Sequence, residues 1–175
     1  MYETSSELEQ LQRLLDDSAA AAGRHLLSIM TPERRLEAAA LCDRLTGMRL
    51  IAVATVTADG HPIVGPVDGY FIHGAWYFGS ARNSVRMRHL GARTSVSATY
   101  FDDGEVSVTV HGRAELFEVN GPDHPELRQA MLEHYLPLQG PAFAEWLDAS
   151  APLGARIEAT KLFVLALEAQ WSGAR

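Results

Sequence analysis

Residues 106–116, VSVTVHGRAEL, constrain the fold more than any other stretch. Val106, Val108 and Val110 fall on one side of the alternation, and Ser107, Thr109 and His111 on the other. Successive side chains of a pleated strand point to opposite faces, so the segment predicts a strand with one apolar and one polar face. Such a strand needs partners along both edges, because an open edge leaves a row of unpaired backbone groups.

Candidate partners are legible on either side. Residues 50–57 (LIAVATVT) are rich in β-branched types, and Ala58-Asp59-Gly60 turns the chain into a second strand at 61–72. His73-Gly74 is a second turn, and residues 75–79 a third strand. Residues 95–101 predict a fourth, Asp102-Asp103-Gly104 the turn into 106–116, and 156–168 the last strand. Six strands, mostly joined by hairpins, predict a small antiparallel β-barrel, since closure removes exposed edges.

Helices surround this set. Leu8, Leu11, Leu14 and Leu15 recur at helical spacing over residues 5–17. Thr31-Pro32-Glu33 is a start signal, with a capping residue, a proline and then an acid. The helix it opens is expected to run to about Leu45 and to end at Gly47. Residues 1–48 are expected to form an N-terminal helical extension packed on the main domain or on a partner, and residues 49–175 the barrel domain. Residues 122–136 and 141–149 predict two more helices with proline near their starts.

Charge and composition exclude several functions. The net charge is −7, against a general nucleic-acid binder. No apolar run approaches the roughly 20 residues needed to span a bilayer. The N-terminus is acidic and polar, unlike a secretory signal. Cys42 is the only cysteine, so no internal disulfide is possible, and a cytoplasmic location is expected. The seven histidines (25, 61, 73, 89, 111, 124 and 134) form no HExxH pair, and no metal site is expected. Glycine-rich dinucleotide and phosphate-loop patterns are absent, as is a Gly-x-Ser-x-Gly elbow.

Within this acidic chain, residues 76–92 (WYFGSARNSVRMRHLGA) stand out. A strand runs into Gly79-Ser80, and a helix is expected to follow to about Leu90, stopped by Gly91. Arg82, Arg86, Arg88 and Arg93 fall within twelve residues, where a uniform scatter would place about one. A helix start offers free N–H groups and the positive end of the macrodipole, and anions bind there. Ser80, Ser84 and Arg86 could clamp a phosphate. The other reading is a solvated basic face paired with carboxylates. The second strand is odd too. Val64-Gly65-Pro66-Val67-Asp68-Gly69 places two glycines and a proline inside it. Either a flat ligand lies against this backbone, or it is a kinked edge strand.

Taken in order, ATVTADGHPIVGPV, WYFGS, Ser84-x-Arg86-x-x-His89-Leu90 and VSVTVHGRAEL resemble the flavin-binding split-barrel family related to pyridoxamine 5′-phosphate oxidase. The resemblance covers roughly residues 49–170. It implies a split barrel that binds FMN, with the phosphate at Ser80, Ser84 and Arg86, the ring along Gly65, Pro66 and Val67, and Gly79 among the cofactor-binding residues. It also implies a homodimer with the cofactor at the subunit interface, Ser107 contacting the partner's cofactor. The implied activity is flavin-dependent oxidoreduction of a small organic substrate. A deazaflavin is the alternative cofactor, its longer anionic tail needing Arg82, Arg88 or Arg113, and a non-catalytic flavin-binding protein is a further one. Leu165 stands near the position of the oxidase's tryptophan, and the chain stops at WSGAR soon after the last strand. Oxidation of the phosphorylated vitamin itself is therefore not expected. No catalytic side chain is required, because the cofactor carries the chemistry.

Overall fold

The computed structural model describes residues 2–102 and 105–166. Six strands close into an antiparallel barrel in the order β1-β2-β3-β6-β5-β4. They are β1 (Met48–Val56), β2 (Pro62–Ile72), β3 (Ala75–Ser80), β4 (Ser95–Asp102), β5 (Val106–Glu118) and β6 (Leu153–Ala166). Closure is made by β1 and β4, where Ala52 pairs with Thr99 and Ala54 with Ser97. The barrel expected from the strand pattern is thus the one observed, and the alternation in β5 holds: Val106, Val108 and Val110 are buried, and Ser107 and Thr109 are half-buried.

The longest ladder, β5 with β6, slips register between His111 and Gly112. Gly112 is required there, because a Cβ at that position would lie 2.1 Å from the Glu158 carbonyl oxygen. The β2–β3 hairpin turns on His73 and Gly74, both with positive φ (50° and 71°), as a two-residue turn between twisted strands demands.

Helices α1 (Ser5–Ala20), α2 (Arg24–Ile29) and α3 (Ala38–Arg44) precede the barrel, and α4 (Val85–Ala92) links β3 to β4. Between β5 and β6 come α5 (Pro125–Gln139) and α6 (Ala142–Ser150). α1 begins with a capping box in which Thr4 and Glu7 exchange backbone and side-chain bonds. Leu11 and Leu15 of α1, with Leu41 and Leu45 near α3, join one core cluster with Ile51, Val108, Ile157 and Leu162 of the strands. A second cluster lies under α5 and α6, where Leu127, Phe143 and Leu147 cover Tyr70, Ile72 and Tyr77.

Several boundaries differ from expectation, β6 for one beginning at Leu153, three residues early. Thr31-Pro32-Glu33 opens only a single 3₁₀ turn, Pro32–Arg34, after which Arg35 is extended. The helix restarts at Ala38, whose free N–H is taken by Gln12 Oε1 of α1 at 2.9 Å. A long-range contact therefore sets this start, where local sequence suggested a continuous helix. α4 continues through Gly91 to Ala92, and its last turn is closed by Arg93 N–H bonding to the His89 carbonyl. α5 begins at Pro125, three residues later than expected, and ends at Gln139. The expected turn residues 103–104, the end of the last strand at 167–168 and the WSGAR segment lie outside the described residues.

Candidate functional site

The junction of β3 and α4 is built from hydroxyls. Ser84 caps α4, its Oγ accepting the Met87 N–H at 3.2 Å. Ser80, at the end of β3, donates to Ser84 Oγ at 3.1 Å. One turn into the helix, Arg86 swings back over β2 and donates from Nη2 to the Pro66 carbonyl at 3.4 Å. A Cβ on Gly65 would lie 3.0 Å from the same nitrogen, so a glycine here lets the guanidinium reach the strand.

Arg86 differs from its neighbours in electrostatics. Burial holds its guanidinium below the ordinary value, with no carboxylate among the described residues compensating. Arg82 forms a two-pronged pair with Glu118 of β5 and also reaches the Ala151 carbonyl. Arg88 folds back on the Asn83 carbonyl at 2.5 Å, and Arg93 donates to the Val56 carbonyl at 3.0 Å. The two readings of the arginine cluster are thus divided. Arg82 is a paired surface cation, Arg88 and Arg93 bond backbone carbonyls, and Arg86 is a half-buried cation beside a cavity.

That cavity has a volume of about 170 Å³ and is lined by Val53, Thr55, Ile63, Val64, Gly65, Ser84, Val85 and Arg86. Its floor is the first half of β2, which pairs with β1 but not with β3, the β3 ladder starting only at Gly69. Pro66 is accommodated because this half of the strand has one free edge. The two glycines of the segment have different causes. Gly65 faces Arg86, whereas a Cβ on Gly69 would collide with Ile51 Cδ1 at 2.7 Å.

Of the eight residues expected to hold a cofactor, Gly65, Ser84 and Arg86 line the cavity, and Pro66 and Ser80 bond directly to two of them. Val67 packs against the barrel core. Gly79 faces elsewhere: a Cβ there would meet Met131 of α5 at 3.5 Å. Ser107 sits on β5 in register with Phe101 and Leu165 and is not part of this cavity within one chain.

Thr55 lines the cavity and was not singled out in the sequence. It is 2% exposed, and its Oγ1 lies 3.0 Å from Nδ1 of His89 on α4. Its signal was a hydroxyl in the inward register of Ile51 and Val53. Cys42 is inert by contrast, burial pushing its thiol up to about 12.

No family model matches the sequence, and no curated protein matches it. Solved structures do match the fold. A conserved hypothetical protein of Mycobacterium tuberculosis superimposes with a TM-score of 0.63 at 19% identity, over 78% of this chain and 88% of that one. A putative pyridoxamine 5′-phosphate oxidase from Listeria innocua gives 0.55 at 13%, over 73% and 94%. The heme storage protein HutZ from Vibrio cholerae gives 0.56 at 17%, over 67% and 86%. An F420 reductase gives 0.53 at 19%, over 67% and 91%. At these identities the likeness establishes the fold, a split barrel shared by proteins with different cofactors. Among the described residues, no helix is long and apolar enough to cross a membrane.

Proposed function

We propose that the protein is a flavin-dependent oxidoreductase that binds FMN with its phosphate at Ser80, Ser84 and Arg86 and its ring along Gly65, Pro66 and Val67. The observation that carries this reading is the half-buried Arg86 guanidinium, which has a cavity and two serine hydroxyls beside it and, among the described residues, no carboxylate partner. A buried cation without a counter-charge is costly, and a phosphate there would satisfy it. The capping serine presents the α4 N-terminus to the same place.

The cofactor would supply hydride chemistry, and the protein position and electrostatics. Arg86 would hold the anionic end. Thr55, fixed by His89, would offer a hydroxyl inside the cavity. The bare backbone of Gly65 and Pro66 would give a flat ring a surface to lie on. A 170 Å³ cavity is below the roughly 300–1,000 Å³ that encloses a whole ligand of this size. It suits the phosphate end, so the ring would need cover from a second copy. Leu50, Val64 and Phe101, each between 63% and 70% exposed on β1, β2 and β4, offer apolar surface for such a homodimer.

FMN is preferred to a deazaflavin because Arg82 and Arg88, two of the three arginines available to a longer anionic tail, already have partners. The F420 reductase and the heme storage protein of similar fold make deazaflavin and heme the competing cofactors. The visible spectrum of purified protein, with the released cofactor identified by mass, tests the reading. FMN supports it, while a deazaflavin, heme or failure to bind added FMN overturns it. Turnover with reduced nicotinamide then separates an enzyme from a storage protein.

A further inference from the structure

Ser80 and Glu118 stand in one row across the sheet. Both are in register with Leu153 of β6, Ser80 from β3 and Glu118 from β5. Residues in register across antiparallel strands present their side chains to the same face, and two strand spacings set the outer members about 10 Å apart. A carboxylate on β5 therefore shares its face with a hydroxyl of the Ser80–Ser84 pair.

Arg82 spans that row. The Ser84 N–H bonds to the Ala81 carbonyl at 2.9 Å, closing a turn with Arg82 at its first corner and the two serines on its flanks. Arg82 is two residues from each serine, so its Cα lies within about 7 Å of theirs. Its guanidinium is nevertheless committed elsewhere. It grips Glu118 with two nitrogens, and one of these also donates to the Ala151 carbonyl at 3.3 Å. The Arg82 hydrogen bond holds the Glu118 carboxyl below the usual carboxylate range, so the pair is ionised at neutral pH. Beside the serines there is thus a neutral ion pair in place of a free cation.

We propose that Glu118 sets the anionic capacity of this site: by holding Arg82 on β5, it restricts Ser80, Ser84 and Arg86 to a single phosphate group and excludes a diphosphate. A second phosphate beside the first needs a cation of its own. Arg82 supplies one only by breaking its two charge-assisted hydrogen bonds, and the Glu118 carboxylate so released repels the incoming group. One phosphate makes neither demand, since Arg86 meets it. This role rests on the reading of Ser80, Ser84 and Arg86 as a phosphate clamp, and it adds the class of anion accepted there.

The test follows the melting temperature of the cofactor-free full chain with increasing inorganic phosphate and, separately, pyrophosphate, at constant ionic strength. A ligand held only by the folded state stabilises it according to its concentration relative to Kd, so each series yields an affinity. In the unaltered protein phosphate is expected to bind at least as tightly as pyrophosphate. Glu118→Gln removes the charge at an exposed position and should leave the fold intact. It should raise the pyrophosphate-to-phosphate affinity ratio about three- to tenfold. Adding Arg82→Ala should return the ratio to that of the unaltered protein. A ratio unmoved by Glu118→Gln overturns the proposal, as does pyrophosphate preferred by the unaltered protein. So does a gain that survives Arg82→Ala, which would come from lost repulsion alone. Titration with FMN keeps the two readings apart. FMN that binds and is displaced by phosphate, with an unmoved ratio, refutes only the role of Glu118. Phosphate that binds where FMN does not refutes only the flavin reading, and stabilisation by neither anion refutes the clamp and this role together.

Discussion

Gly65 and Arg86 occupy each other's space: a Cβ on the glycine would stand 3.0 Å from the guanidinium nitrogen Nη2. The strand gives up a side chain so that a cation from the following helix can lie over its backbone. Gly65→Val should displace the guanidinium while leaving the fold intact, because Gly65 is half-buried on the free-edged half of β2. Arg86→Ala removes the charge outright. A hydrogen bond to a charged group contributes about 1.5–3 kcal/mol, so FMN affinity should fall about ten- to hundredfold in Arg86→Ala. Fluorescence titration of the cofactor-stripped protein measures this, and unchanged affinity in both variants would remove the phosphate clamp.

Ser84 has two duties that a pair of substitutions separates. It caps α4 through the Met87 N–H, and it stands beside Arg86 in the cavity. Ser84→Ala should cost about 1 kcal/mol of stability as well as affinity. Ser84→Asp keeps a good cap and places a carboxylate against Arg86. Its melting temperature should match the unaltered protein while FMN binding is lost to like-charge repulsion. Retained binding in Ser84→Asp would show that the anion does not sit at this helix start.

How far the sequence spoke for the structure follows from the range of each interaction. The barrel was legible because alternation is local: Ile51 and Val53, or Val106, Val108 and Val110, announce an inward face by themselves. The arginine cluster was visible as composition, but its division was not. Glu118, which neutralises Arg82, lies 36 residues away, and only the closed barrel brings it there. The same holds for α3, whose start depends on Gln12 from 26 residues upstream. In the sequence Tyr70 is one more residue of the second strand. The burial of its hydroxyl near Asp68 and Tyr135 arises from the placement of α5 over β2, which no local pattern encodes.

Gly112 tests the bulge in the longest ladder. A Cβ there would lie 2.1 Å from the Glu158 oxygen and 3.0 Å from the Ala159 Cα, both backbone atoms that cannot rotate aside. Gly112→Ala should therefore destabilise by about 1–3 kcal/mol or more, read as a lowered denaturation midpoint. Gly23→Ala is the matched control, since nothing lies within 4 Å of its Cβ position and its φ is −69°. It should stay within about 0.5 kcal/mol of the unaltered protein.

Glu7 should make stability depend on acid. Its carboxylate accepts the Thr4 N–H at 2.7 Å and faces His73 Nδ1 at 3.1 Å, tying α1 to the β2–β3 turn. The Thr4 backbone bond is the largest of the causes that hold Glu7 below its ordinary 4.5, with the His73 contact adding to it against the opposing effect of burial. A carboxylate depressed in the folded state binds its proton more readily when unfolded, so stability falls as pH drops. The contribution is complete above the unfolded value and disappears as pH falls through the lower folded one. Glu7→Ala should therefore melt below the unaltered protein at neutral pH, by a difference of about 1 kcal/mol. The two melting curves should converge as the pH falls from about 5 towards 3. A gap that persists unchanged across that range would mean that the Glu7 charge contributes nothing to the cap, and that the loss comes from packing alone.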